Sequence, residues 1–238
     1  MKFPMASPTS EPTAVPGSAA LPDAAVVADA CLIASHRLSE WVSNAPTMEE
    51  DVALGNIALD LLGQARGLLS HLGDEDRLAY FRDAAEFRNP TICELPNGDF
   101  GHTVLRSWFI DAWLERVWCA WLDAGDEVVR GVAEKAIKEN AYHRRHSSSW
   151  VIRLGDGTDE SHRRMVDALD ALWPYVGEIA VAGWIDTVEP VLAEAALPVP
   201  ELPADGREVG SLGRHTEYLG ALLAESQSLA RQFPGATW

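Results

Sequence analysis

The residues from Thr47 to Gly73, TMEEDVALGNIALDLLGQARGLLSHLG, constrain the fold more than any other stretch, because they carry both end signals of one long helix. Thr47 and Glu50 stand three apart, the spacing at which a threonine hydroxyl accepts a free backbone N–H while the glutamate reaches back. Gly73 offers a left-handed exit. Between them Leu54, Ile57, Leu61, Ala65, Leu68 and Leu72 recur at three- and four-residue steps and form one apolar stripe. Val52 and Leu59 lie outside that stripe, beside Gly63 and Gly67, two small residues four apart that admit a second helix. The helix is therefore expected to pack on two sides. Asp60 and Gln64 fall on the flank between those sides, where a bundle holds either a satisfied polar pair or a ligand set.

The rest of the chain repeats the helical pattern. Residues 1–21 hold Pro4, Pro8, Pro12 and Pro16 among Ser, Thr and Ala, which reads as a flexible tail and leaves 22–238 as a single helical domain. From Asp23 a stripe of Val27, Cys31, Ala34, Leu38 and Trp41 runs to Asn44-Ala45-Pro46. A short helical piece over Leu78 to Phe87 precedes Asn89-Pro90 and the turn Pro96-Asn97-Gly98. Asp99 is placed to cap a third long helix, Phe100 to Leu122, with Trp108, Trp113, Trp118 and Trp121. That is more aromatic surface than one helix needs for its own core, so part of it is expected to face a partner. Asp126 opens a fourth helix to Arg153, stopped by Gly155-Asp156-Gly157. A fifth runs from Asp159 to Trp173-Pro174, with shorter helical material to Leu197. After the loop of Pro198, Pro200 and Pro203 a last helix spans His215 to Gln232. No alternation of period two stands out, and four helices of about 20 residues or more indicate an all-α bundle with additions.

Charge and cysteines narrow the function classes. Acidic residues outnumber basic ones by 36 to 19, a formal charge of −17, which argues against nucleic acid because phosphate binding needs clustered cations. Cys31, Cys93 and Cys119 are far apart and odd in number, so neither a disulfide framework nor a zinc ribbon is indicated, and the usage points to the reducing cytoplasm. No apolar run is long enough to span a membrane.

The bundle chemistry to test first is a carboxylate-bridged di-iron centre, which takes a Glu from each of two helices and Glu-x-x-His from each of two others. Three positions upstream of the seven histidines stand Ile33, Leu68, Asp99, Asn140, His143, Asp159 and Leu212, so that motif is missing. Asp99 and Asp159 are accounted for as helix caps. A ligand set improvised from Glu139, His143 and His146, with Asp60 or Asp111 from neighbouring helices, competes with the plainer reading of an i to i+4 Glu–His pair beside a solvated basic turn at Arg144 and Arg145. Asp60 and Gln64 read better as a buried hydrogen-bonded pair than as catalytic groups. Gly155-Asp156-Gly157 follows a helix, so it is a turn and not a dinucleotide fingerprint. Cys93, in a loop with no activating neighbour in sequence, reads as a free structural thiol. Lys138, Arg144, Arg145 and Arg153 leave open a phosphate grip for an acyl-CoA-binding adaptor, against a solvated or partner-facing patch.

Five segments carry a family resemblance: ALGNIALDLLGQARGLL at 53–69, LAYFRDAAEFRN at 78–89, PNGDFGHT at 96–103, KAIKENAYHRRHSSSWVIRLGDGT at 135–158 and HTEYLGALLAESQSLARQFPG at 215–235. In this order and spacing the chain resembles the C subunits of ring-1,2-phenylacetyl-CoA epoxidase, from a bacterial multicomponent oxygenase of aerobic phenylacetate degradation. The resemblance implies a ferritin-like bundle that pairs with a homologous A subunit, which carries the di-iron site and binds the acyl-CoA, while the C-type chain is its structural partner. Where the A-type second helix would offer Glu-x-x-His this chain presents Leu61 and Gln64, and on the fourth helix Asn140 and His143. The expectation is thus a subunit with no catalytic residues, no metal ligands and no cofactor of its own.

Overall fold

The computed structural model describes residues 22–123, 126–203 and 210–236, so the tail expected at 1–21 lies outside the described residues. Helices make up the regular structure there, and no β-strand occurs among the described residues. The four long ones are α1 (Ala24–Ser39), α2 (Met48–Leu72), α5 (Phe100–Trp121) and α6 (Glu127–Gly155). Short α3 (Glu75–Tyr80) and α4 (Thr91–Glu94) lie between the two pairs, and α7 (Asp159–Leu172), α8 (Trp184–Glu194), α9 (Glu217–Ser226) and α10 (Ser228–Gln232) follow.

Start signals read from sequence are used as caps. The side chains of Asp23, Thr47, Asp99 and Asp126 accept N–H groups of Val26, Glu50, His102 and Val129, supplying partners that a first helical turn otherwise lacks. Three details differ. Glu50 does not turn back to Thr47 but reaches His146 Nε2 at 2.7 Å on α6, a longer-range partner winning over the local box. Gly73 leaves α2 at φ 159° and ψ −146°, outside the left-handed helical well near φ +57°. Thr158, not Asp159, caps α7, through Ser161 N–H.

Pairs of contacts run in opposite directions along each neighbouring pair of helices. Ser35 Oγ donates to Ala58 O at 2.7 Å and Cys31 Sγ lies 3.7 Å from Gln64 Oε1, so α1 and α2 are antiparallel. Asp111 meets Ser147 while Glu115 meets Arg144, so α5 and α6 are antiparallel too. Asp60 with His143, and Gln64 with Glu139, join the two pairs through α2 and α6. The result is a four-helix bundle, with α7 and α8 packed on the α5–α6 pair.

The core is richer than the stripes foretold. Helix α1 is buried nearly all round, Asp29 and Arg37 included. Both Asp29 carboxylate oxygens take the Arg82 guanidinium, and one also takes Arg88 N–H at 2.8 Å. Burial raises the Asp29 pKa even so, with Arg82 pulling the other way. Trp108, Trp113, Trp118 and Trp121 are all buried inside this chain. The expectation that part of them faces a partner is therefore corrected: Trp118 and Trp121 pack edge-on against each other at 5.3 Å, and Trp108 lies under the Arg144 guanidinium of α6. Phe109, on the same helix, meets Trp173 and Trp184 at centroid separations of 5.9 and 5.6 Å, where α8 and the turn at Trp173–Glu178 come against α5. Each such side chain contributes about 1.5–3 kcal/mol by leaving water.

Close backbone approach fixes where α8 sits. A Cβ on Gly155 would lie 2.4 Å from Ala195 O and 2.7 Å from Ala195 Cβ, and backbone cannot step aside as a flexible side chain can. Gly155→Ala is expected to lower stability by about 1–3 kcal/mol in urea unfolding. An unshifted midpoint would mean that α6 and α8 do not meet there.

Helix α4 was not foreseen, and Cys93 lies within it, buried, where desolvation pushes its thiol well above the ordinary range. Its neighbour Glu94 is a hub. It is fully buried and accepts from Asn89 Nδ2 at 2.9 Å, His215 Nδ1 at 2.7 Å, Thr216 Oγ1 at 2.8 Å and Thr216 N–H. The single last helix expected from His215 to Gln232 is instead α9 and α10, broken at Gln227, whose side-chain amide turns in to Ala79 O and Arg82 O. No helix among the described residues is long and apolar enough to cross a membrane.

Candidate functional site: the polar layer inside the bundle

Halfway along the bundle a polar layer interrupts the apolar core. Its members come from all four long helices: Cys31 on α1, Asp60 and Gln64 on α2, Asp111 on α5, and Glu139, Asn140, His143 and Ser147 on α6. Their spacing is helical. Asp60 and Gln64 are one turn apart, and so are Glu139, His143 and Ser147, so each helix presents its polar groups along one line.

Most of these groups satisfy one another in separate pairs. Gln64 is buried, with Nε2 donating to Glu139 Oε2 at 3.0 Å and Oε1 facing the Cys31 thiol. Glu139 also holds Lys135 Nζ at 3.1 Å. His143 Nε2 lies 3.2 Å from Asp60 Oδ2, with the ring fully buried and the carboxylate partly in solvent. Ser147 Oγ donates to Asp111 Oδ2 at 2.8 Å. The expected pair of Asp60 with Gln64 is corrected: each bonds across to α6, because their side chains point at the neighbouring helix and not along their own.

Charge is expensive in this layer. Burial pushes the Asp111 carboxyl up to about 6, and the nearby His143 and the Ser147 hydrogen bond only partly offset it. Desolvation likewise raises the Cys31 thiol far above its ordinary range. Asn140 Nδ2 and His143 Nδ1 are buried without a protein partner.

The improvised ligand set does not converge. His146 is taken by Glu50, Glu139 by Gln64 and Lys135, and His143 by Asp60. Among the described residues no group of three or more His, Cys, Asp or Glu side chains is gathered as a metal ion requires. The cations proposed to grip a phosphate also part company. Arg144 turns inward to Glu115 and lies over the Trp108 ring at 5.8 Å, while Arg145 lies over Tyr142 and Arg153 over Trp150.

Leu61 is buried between Asp60 and Gln64 on α2. With Ala34, Leu38, Ile57, Ile110 and Asp111 it borders a void of about 10 Å³, at the lower limit for a single water. The donor set does not fit a carboxylate-bridged metal pair: Leu61, Gln64, Asn140 and His143 supply no carboxylate, and the layer's carboxylates, Asp60, Asp111 and Glu139, are each held by a different partner, His143, Ser147, and Gln64 with Lys135. Sequence reasoning missed Cys31, Ser147, Glu50 and Glu115 as members or neighbours of this layer. Ser147 had a readable signal, standing one turn beyond His143, whereas the others depend on which helix lies opposite.

Four antiparallel long helices around an internal polar layer define an all-α protein of the ferritin-like class. The model of the family described as "Phenylacetic acid catabolic protein" matches residues 5–183 and 181–238, and the chain belongs to that family. It is 42% identical, over 237 aligned residues covering 88% of this chain and 95% of the relative, to the C component of the 1,2-phenylacetyl-CoA epoxidase of Escherichia coli.

Proposed function

We propose that this chain is the non-catalytic structural subunit of a phenylacetyl-CoA ring epoxidase, a cytoplasmic multicomponent monooxygenase of aerobic phenylacetate catabolism. In this reading it pairs with and stabilises the A-type subunit that carries the di-iron centre. The observation that carries the reading is the state of the bundle interior. Leu61 is in the apolar core, Gln64 and His143 are committed to Glu139 and Asp60, and Asn140 is an amide. Facing carboxylates in a core without a metal would be left charged and unpaired, at a cost of several kcal/mol. A leucine and two amides avoid that cost, so the replacements make sense for a protein retained for its surface.

The test is co-production. With this chain the A-type subunit is expected to be soluble and to support epoxidation in the assembled enzyme. Without it, yield and activity should collapse, and this chain purified alone should hold far less than one iron per molecule. An A-type subunit equally soluble and active by itself would refute the role, and stoichiometric iron or manganese on the isolated chain would favour a metalloenzyme.

A further inference from the structure

Helix α2 has a second apolar line, on the side away from the core. Met48, Val52, Gly55 and Leu59 follow one another at steps of four, three and four, the 3.5-residue repeat by which helices pack side by side, and Leu62, half-buried against the core, and Arg66 continue the repeat at its end. Met48, Val52 and Leu59 are 80%, 60% and 66% exposed, and nothing in the chain lies within 4 Å of where a Cβ on Gly55 would be. Beside it α6 presents Val128, Gly131, Lys135, Lys138, Tyr142 and Arg145 at the same kind of repeat, with Val128 and Tyr142 exposed. Large apolar side chains at a regular helical repeat, left in water, are the mark of an interaction surface.

Size and charge select the occupant. Helix α2 is 25 residues, about 37 Å long, and two helices side by side are about 20 Å wide. Their common face offers roughly 700 Å², close to the ~800 Å² per partner of a stable interface. Neither ridge carries an acidic residue, although the whole protein has a formal charge of −17. Arg66 is held by Glu75 and Lys135 by Glu139, which leaves Lys138 and Arg145 with no ion pair among the described residues. A two-fold contact with a second copy would set this cationic face against itself. A different subunit, apolar along its contact helices and acidic at their margin, meets both requirements.

We infer that the outer face of α2 and α6 is where the A-type subunit docks, with its helices laid along the α2 ridge and carboxylates opposite Lys138 and Arg145. This rests on the pairing proposed above and adds which surface makes it. Leu59 is the central anchor, and Gly55 is the hollow one turn away that lets a facing helix come close.

Binding of the full-length chain to the purified A-type subunit, followed by calorimetry and gel filtration, tests the assignment. Leu59→Asp is expected to weaken binding by about 30-fold or more. Because the side chain is already in solvent, its thermal unfolding should match the parent. Lys138→Glu with Arg145→Glu should slow association at low salt by about tenfold. Phe233→Asp, at an exposed apolar residue far along the chain, should change neither. If the parent binds and both face variants bind as well as it does, the docking face is overturned while the pairing stands. No binding by the parent overturns the pairing itself. If the chain alone forms a dimer that Leu59→Asp dissolves, the occupant is a second copy and the assignment to the A-type subunit is wrong.

Discussion

Glu94→Ala is expected to destabilise the chain by about 3–5 kcal/mol, a large part of the 5–15 kcal/mol that holds an ordinary domain together. Four donors converge on that carboxylate, from Asn89, His215 and twice from Thr216, and alanine would leave them unpaired in a dry interior. The loss should be strongest at low pH, for a reason visible at His215. Its Nδ1 faces Glu94 and its Nε2 lies 3.0 Å from Phe87 O, and only the protonated ring donates to both. Burial opposes that charge most strongly of any one cause, but the hydrogen bonds to Glu94 and Phe87 O, together with the Glu94 and Glu178 charges, outweigh it and hold the His215 pKa above 6.5. A raised imidazole pKa contributes stability that is complete below the unfolded value of 6.5 and fades as pH climbs through the folded value. The parent should therefore lose this stability as pH rises above 6.5, and Glu94→Ala should lack that decline. Urea unfolding of both proteins between pH 5.5 and about 8.5 checks it. A variant within about 1 kcal/mol of the parent would mean that the C-terminal helices are not fastened here.

Asp111→Asn should act in the opposite direction and stabilise the bundle. The carboxyl titrates near 6 in the folded chain against 3.8 in the reference state, so folding favours its protonated form. The folded state then holds more protons than the unfolded one between roughly pH 4 and 6, and the Asp111 contribution to stability falls across that window. About two pKa units correspond to about 3 kcal/mol of strain at neutral pH. Asparagine keeps an acceptor for Ser147 and removes the charge. The gain is expected to be about 1–3 kcal/mol at pH 7.5 and to vanish near pH 4. A loss of stability at pH 7.5 would show that the charged form is wanted, as a site holding a cation would require.

The contrast between these two carboxylates separates what was readable from what was not. In sequence Glu94 lies in a stretch that reads as loop, and Asp111 enters only as a contribution to an improvised ligand set, with nothing in either one's own neighbourhood to mark it as buried. Periodicity reports which residues share a face, and caps report where a helix begins, because both are short-range effects of backbone geometry. Asp23, Thr47, Asp99 and Asp126 were legible for that reason. What lies opposite a face is not a local property. The four tryptophans of α5 could not be assigned to core or partner until the packed chain showed all of them buried within it. Periodicity set Leu59 apart from the stripe that holds Leu61, but not whether another helix of this chain covers it, and it is in water while Leu61 is in the core.

From its sequence alone this chain was bound to be helical, with long amphipathic segments and no Glu-x-x-His, because those are matters of spacing and residue type. Which polar groups neutralise each other, how Glu94 gathers the C-terminal helices, and which apolar line is left for a partner were decided only by the packing of helices against one another. That packing follows from burying the most apolar area at once, a sum over the whole molecule that no single segment contains.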